Sequence, residues 1–254
     1  MSFWFWHGLR RGIQSTVYPG RAEIAPGISP GRPVDTEFGS VDHAQHAAAI
    51  CPADAIHASG STAFVDQGKC IQCQRCRLGI SPPMTWDTGF EWARLSGQQL
   101  ESRVLPSAFA KSMHIMVVDT GDCGACLHEV KQLNNPFYNM HRLGFFFTAT
   151  PRTADLLLIV GPGTENMRGP LLKAWEAMPG TRRVLAVGTC AISGGVFGRS
   201  FICAGGAATV LPVDFEVPGN PPPPLAILHG LLAVSSRRSV ASNVPAHGKA
   251  VISQ

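Results

Sequence analysis

ADLLLIVG, residues 154–161, is an apolar, strand-like run closed by glycine, and three runs of the same kind surround it. They are HIMVVDT (114–120), FFFTA (145–149) and RRVLAVGT (182–189), and stretches of helical pattern lie at 125–133, 166–178 and 223–234. Apolar strands alternating with helices predict an α/β domain over 113–234 with a mostly parallel sheet. Open sheets of that kind bind their ligands beyond the carboxyl ends of the strands or at the loop–helix junctions there. Three segments fall in those places: Asp122-Cys123-Gly124-Ala125-Cys126, Gly188-Thr189-Cys190-Ala191 and Val217-Pro218-Gly219-Asn220-Pro221-Pro222. A flavin phosphate would want hydroxyl-rich and glycine-rich loops, whereas here cysteines stand in that position.

Upstream, residues 38–85 read as a small α+β unit with a helix-like HAAAI, the turn CPADAI, a strand TAFVD and the run CIQCQRCRLGISPP. Residues 1–37 form a docking segment: an aromatic and basic head (Phe3, Trp4, Phe5, Trp6, Arg10, Arg11) followed by a stretch rich in Gly and Pro. The head reads as a short amphipathic helix, packed on a neighbour or lying on a membrane surface. Residues 86–112 have no clear pattern and are expected to link the two units or pack between them. The polar tail over 235–254 is expected to be flexible.

The run CIQCQRCRLGISPP resembles one half of a two-cluster ferredoxin motif. Bacterial ferredoxins use C-x2-C-x2-C-x3-C-P, and the last cysteine of each run ligates the cluster held by the first three of the other. Cys70, Cys73 and Cys76 form a complete C-x2-C-x2-C, but Ile80 stands where the fourth cysteine would fall. Upstream, Cys51-Pro52 copies the closing C-P, while Val41, Ala44 and Ala47 occupy the places of its own first three cysteines. The crossing rule therefore assigns Cys51, Cys70, Cys73 and Cys76 to one [4Fe–4S] cluster, with the other cluster lost. Soft thiolates in tetrahedral array suit iron in a sulfide cube. Zinc is the alternative, but it rarely takes three thiolates at this spacing with a distant C-P.

Composition sets outer limits. With 254 residues, 45% of them hydrophobic, the chain is long enough for a sizeable core. A net charge of +4, with scattered Lys and Arg, lacks the dense basic stripe of a nucleic-acid binder, so no nucleic-acid partner is expected. No run of eighteen or more apolar residues occurs, and the start MSFWFWHGLRRG does not look like a signal peptide. The expectation is a cytoplasmic protein whose eight cysteines serve metal ligation rather than disulfides.

The segment 113–234 resembles the small, cluster-bearing subunit shared by respiratory complex I and the group 4 membrane-bound [NiFe] hydrogenases. The resemblance rests on CGACLHE, TPRTADLLLIVGPGTENMRGPLLKAWEAMP, VGTCAISGGVFG and LPVDFEVPGNPP, with the formate hydrogenlyase branch nearest. The N-terminal third resembles the ferredoxin-like iron–sulfur subunit of the same complexes, so the chain looks like a fusion of two adjacent relay subunits. The resemblance implies a flavodoxin-like parallel-sheet domain preceded by a small ferredoxin-like domain. It also implies an electron-transfer role that is non-catalytic in the chain alone. Its partners would be a hydrogenase-like or complex I-like large subunit, membrane-arm subunits and an electron donor such as a formate dehydrogenase. Its place would be peripheral, on the inner face of the cytoplasmic membrane.

A second [4Fe–4S] cluster follows from the same resemblance, with Cys123, Cys126 and Cys190 as ligands and Glu129 as the acidic neighbour after the first pair; Glu129 either tunes the cluster or moves protons, or simply pairs with a cation. The family's fourth ligand sits in a P-G-C-P-P sequence, where this chain has Asn220. An amide oxygen is a poor match for iron in a sulfide cube. Three outcomes stay open: Cys203 substitutes, the site holds a three-iron or labile cluster, or it holds none. In the last case the chain would be a scaffold or assembly subunit with a degenerate second site.

Other residues carry less. The nine histidines form no H-x-x-x-H or H-E-x-x-H arrangement, so His114, His128 and His141 read as surface or core residues. Cys190 lacks the surroundings of a catalytic nucleophile. Gly161, Gly163, Gly194 and Gly195 form no nucleotide-binding sequence.

Overall fold

A computed structural model describes residues 3–21, 23, 25, 27–97, 109 and 111–239. The aromatic head forms α1 (Phe3–Arg11), none of whose residues is buried, so it adds nothing to the core. Further along the docking segment the chain enters the body of the protein. Tyr18 is fully buried, packs edge-on against Phe90 at 5.1 Å, and donates its hydroxyl hydrogen to Glu91 Oε1 at 2.8 Å.

The next elements are β1 (Arg32–Pro33), β2 (Thr36–Glu37), α2 (Val41–Ala49), β3 (Ile56–Ser59), β4 (Thr62–Val65), α3 (Arg75–Leu78) and β5 (Trp86–Asp87). Strands β2, β4 and β3 make a three-stranded antiparallel sheet, and β1 pairs with β5. Helix α2 lies on β3 and β4 through Ala44 and Ala47, which are fully buried beside Ile56, Ala63, Val65, Cys76 and Met84. Two of the three positions where a second ferredoxin run would carry cysteines are thus alanines packed in an apolar core. The third, Val41, is exposed.

The larger unit follows with β6 (Arg94–Leu95), β7 (Met113–Asp119), α4 (Ala125–Gln132), β8 (Phe145–Phe147), β9 (Leu156–Val160), α5 (Glu165–Ala177), β10 (Arg183–Val187), α6 (Thr189–Ser193), β11 (Phe215–Val217) and α7 (Pro224–Val234). They build a six-stranded sheet of order β6-β11-β10-β9-β7-β8, parallel throughout except for the edge strand β6. Without β6 the order is that of a flavodoxin-like doubly wound sheet. All five residues of β9 are fully buried, as expected of a parallel strand covered on both faces. Leu156, Leu158 and Val160 face one core with α4 and α7, while Leu157 and Ile159 face the other with α5 and α6.

Two strands of the six-stranded sheet have no clear signal in the sequence. Residues 86–112 supply β6, and β11 is only three residues long with a glutamate at its centre. Glu216 tolerates its buried place because Arg94 reaches it at 2.9 Å across the β6–β11 pair. Trp92 and Ala93, just before β6, belong to the main core.

Helix α7 (PLAILHGLLAV) is buried along its whole length, as a helix apolar on every side must be. Its one polar side chain, His229, accepts the Ala93 N–H at Nδ1 (3.1 Å) and donates from Nε2 to the Ser239 carbonyl (3.0 Å). Burial holds its pKa below the usual histidine value. The start of the tail is packed, with Arg237 over the Phe145 ring at 4.8 Å and Arg238 over Tyr18 at 5.6 Å. Residues 240–254, where the tail was expected to be flexible, lie outside the described residues.

Candidate metal centres

The cysteines fall into two groups, one in each part of the chain. In the first, Cys51 follows the end of α2, Cys70 lies in the turn after β4, Cys73 sits in the loop before α3, and Cys76 is in α3. All four line one cavity of about 330 Å³, counting the part open to solvent, together with Pro52, Ile56 and Trp86. Cys76 is buried, Cys51 and Cys70 are half-buried, and Cys73 is exposed.

The loop that carries the three close cysteines has two unusual residues. Gln72 and Gln74 adopt left-handed backbone angles, with φ of 53° and 64°, a conformation uncommon outside glycine. Alternating left-handed residues turn successive backbone N–H groups toward a concavity that receives an anion. On the far side of the cavity, the Ala55 N–H donates to Cys51 Sγ at 3.3 Å. Burial pushes the Cys70 thiol up to about 12, and the thiols of Cys76, Cys51 and Cys73 add to the rise. Cys76 is pushed up to about 11, by burial first and then by Cys73 and Cys51. Four soft donors around one cavity, with N–H groups turned toward sulfur, fit an iron–sulfur cube. Ile80, at the place of the missing fourth cysteine, packs against the small apolar core.

The second group stands at the carboxyl ends of β7, β10 and β11. Cys123 and Cys126 lie in the β7–α4 loop and the first turn of α4, and Cys190 lies in α6 immediately after β10. The loop after β11 carries Gly219 and Asn220. Burial raises the Cys126 thiol, and Asp122, Cys190, Cys123 and Glu129 follow as causes. Cys190 is raised by burial, then by Cys123, Asp122 and Cys203. The sulfurs occupy space that glycines leave open. A Cβ at Gly188 would stand 2.5 Å from Cys126 Sγ, and one at Gly195 would stand 2.7 Å from Cys190 Sγ.

The family described as NADH ubiquinone oxidoreductase, 20 Kd subunit, matches residues 123–234. An uncharacterized protein of Methanocaldococcus jannaschii is 38% identical over 127 residues, which cover 50% of this chain and 85% of that one. An NADH-quinone oxidoreductase subunit of Clostridium beijerinckii is 41% identical over 113 residues, 44% of this chain and 67% of that one. The chain belongs to this 20 kDa subunit family. Formate hydrogenlyase subunit 7 of Escherichia coli is 34% identical over 152 residues, and the chain spans 56% of that relative's length. Within the match to the 20 kDa family lie Cys123, Cys126, Cys190 and Cys203, whereas Cys51, Cys70, Cys73 and Cys76 lie outside it.

The fourth corner of the second group is where this 20 kDa family member departs from the expected pattern. Asn220 lines an open groove with Glu129, Tyr138, Gly27 and Gln72, the last from the loop of the first cysteine group. Burial raises the pKa of Glu129, opposed by His128, and burial and then Glu129 raise that of Tyr138. Cys203 is buried, bridges to Thr164 and donates its S–H to the Pro162 carbonyl at 3.2 Å. It acts on Cys190 and is absent from the groups that act on Cys126. Cys123, Cys126 and Cys190 are soft donors of the kind that suits iron in a sulfide cube, whereas the amide of Asn220 is a poor match.

Helix α6 joins the two groups. The Thr189 hydroxyl, fully buried and adjacent to Cys190, shares its hydrogen between the carbonyls of Cys70 (2.9 Å) and Gly219 (3.1 Å). One turn on, Ser193 Oγ donates to the Gly68 carbonyl at 2.8 Å. Sequence reasoning missed Thr189 and Ser193 because their partners lie 119 and 125 residues away.

Proposed function

We propose that this member of the 20 kDa subunit family is an iron–sulfur electron-transfer subunit that holds two clusters in series. Cys51, Cys70, Cys73 and Cys76 would hold the first, and Cys123, Cys126 and Cys190 would hold three corners of the second. Such clusters, when bound, exchange single electrons. The observation that carries the reading is the bond from Thr189, next to Cys190, to the carbonyl of Cys70. It ties a second-group element directly to the first-group loop and so favours electron transfer between them.

The N-terminal unit is read as a ferredoxin-like [4Fe–4S] domain over 38–85, followed by the connection 86–112 and the 20 kDa-type domain 113–234. The complex to which the chain would belong is of the formate hydrogenlyase or NADH-quinone oxidoreductase kind. A large catalytic subunit would take or give electrons at the second cluster. An electron-donor subunit such as a formate dehydrogenase and membrane-arm subunits would complete the assembly. Beside α6, Val196, Phe197, Phe201 and Ile202 are exposed, with Phe201 at 91%, an apolar surface suited to a subunit contact. Among the described residues no helix is long and apolar enough to cross a membrane, and attachment to the inner face of the cytoplasmic membrane would come through the complex. Glu129, half-buried beside the second group, would tune that cluster or carry a proton.

A second reading, a scaffold or assembly subunit with an empty second site, is favoured by one observation, Asn220 in place of the fourth cysteine. Iron analysis separates the two. Anaerobically purified chain reconstituted with iron and sulfide should lose iron in the Cys70→Ser/Cys73→Ser variant and again, independently, in Cys123→Ser/Cys126→Ser. Iron unchanged by the second pair would leave only the scaffold reading.

A further inference from the structure

We infer that Asp122 supplies the fourth ligand of the second cluster, through a carboxylate oxygen that takes the place of the missing cysteine. The inference rests on the proposal that Cys123, Cys126 and Cys190 hold a cluster. Asp122 lies in the same loop as Cys123, at the carboxyl end of β7. Its two oxygens are treated differently by the fold. Oδ2 accepts the backbone N–H groups of Gly124 and Leu127, each at 3.0 Å, and so fixes the carboxylate on the turn that carries Cys123 and Cys126. Oδ1 is sealed from solvent and has no hydrogen-bond partner.

A buried oxygen of a charged group with no donor is costly, and native structures resolve such atoms with a partner, commonly a cation or water. No ion pair to Asp122 forms among the described residues. The N–H groups it accepts belong to Gly124 and Leu127, the residues directly after Cys123 and Cys126, so the carboxylate lies against the turn that carries both thiols. The other oxygen and sulfur donors nearby serve less well. Cys203 is committed to the Pro162 carbonyl. Asn220 offers a neutral amide and opens onto the groove with Glu129 and Tyr138. A carboxylate is anionic and binds iron far better than an amide.

The test uses the full chain, anaerobically reconstituted with ferrous iron and sulfide, in the Cys70→Ser/Cys73→Ser background so that the second cluster is read alone by EPR and Mössbauer spectroscopy. Asp122→Asn retains an oxygen for the Gly124 and Leu127 N–H groups, so the loop keeps its cap while the charge is lost. The expected result is a four-iron centre with Asp122 and a three-iron centre, or loss of iron, with Asp122→Asn at unchanged thermal stability of the apo chain. Asp122→Cys should restore four iron atoms with altered g-values and a lower midpoint potential. An Asp122→Asn variant whose iron content, g-values and midpoint potential match those of the parent overturns the assignment while leaving the relay standing. A parent that holds no more iron than the same chain with Cys123→Ser/Cys126→Ser overturns both.

Discussion

Replacing Thr189 by valine keeps the shape of a fully buried side chain and removes the one hydrogen shared by the Cys70 and Gly219 carbonyls. The two acceptors are affected unequally. Gly219 O keeps the Thr189 backbone N–H at 2.8 Å, whereas the Cys70 carbonyl loses its link to α6. A neutral hydrogen bond is worth about 1 kcal/mol net, and a carbonyl left unpaired away from water costs up to about 3 kcal/mol. We therefore expect a loss of about 2 kcal/mol, which for a chain of this size lowers the melting temperature by roughly 4–8 °C. Thr189→Ser, which restores the hydroxyl, should recover most of it. The assay is thermal unfolding of the apo chain under reducing conditions, followed by EPR of the reconstituted, reduced chain. The magnetic interaction between the two clusters should weaken in Thr189→Val as the Cys70 loop loosens from α6. A valine variant that melts with the parent and keeps the full interaction would refute the view that this hydroxyl holds the two sites together.

Gly188→Ala should abolish the second cluster and spare the first. Its φ of 91° is unfavourable for a side chain, and the new Cβ would stand 2.5 Å from Cys126 Sγ; iron content and visible absorption of the variant, set against Cys70→Ser/Cys73→Ser, check it. His229 should make the fold acid-sensitive in one direction. Burial lowers its folded pKa below the ordinary value of 6.5, so the unfolded chain binds the proton first. Its contribution is whole above pH 6.5 and declines as the pH falls from there toward the folded pKa. Chemical denaturation of the apo chain between about pH 7.5 and 5 should show this decline, and the His229→Gln variant should show less of it while being less stable at neutral pH by about 1–3 kcal/mol, through the unpaired Ala93 N–H.

Much of this was legible in the sequence, for physical reasons that differ from part to part. The central strands declared themselves because a parallel strand buried on both faces must be apolar throughout, as ADLLLIVG is. The first cysteine group was legible because three of its members sit in one short loop and the fourth carries the C-P signature. Strands β6 and β11 were not, because the buried Glu216 makes sense only with the half-buried Arg94 beside it, 122 residues away. The geometry of the second site was legible only in part. Its three cysteines follow strand ends, but the bond from Thr189 to the Cys70 carbonyl and the bare Asp122 Oδ1 depend on which atoms the fold leaves paired. The head was expected to form a helix, and α1 is one, with no buried residue.

The two-cluster relay is tested most directly by low-temperature EPR of the reconstituted, reduced chain. Two interacting signals are predicted, with Cys70→Ser/Cys73→Ser leaving the second alone and Cys123→Ser/Cys126→Ser leaving the first alone, each then free of the interaction. A single signal that is indifferent to the Cys123→Ser/Cys126→Ser pair would contradict it.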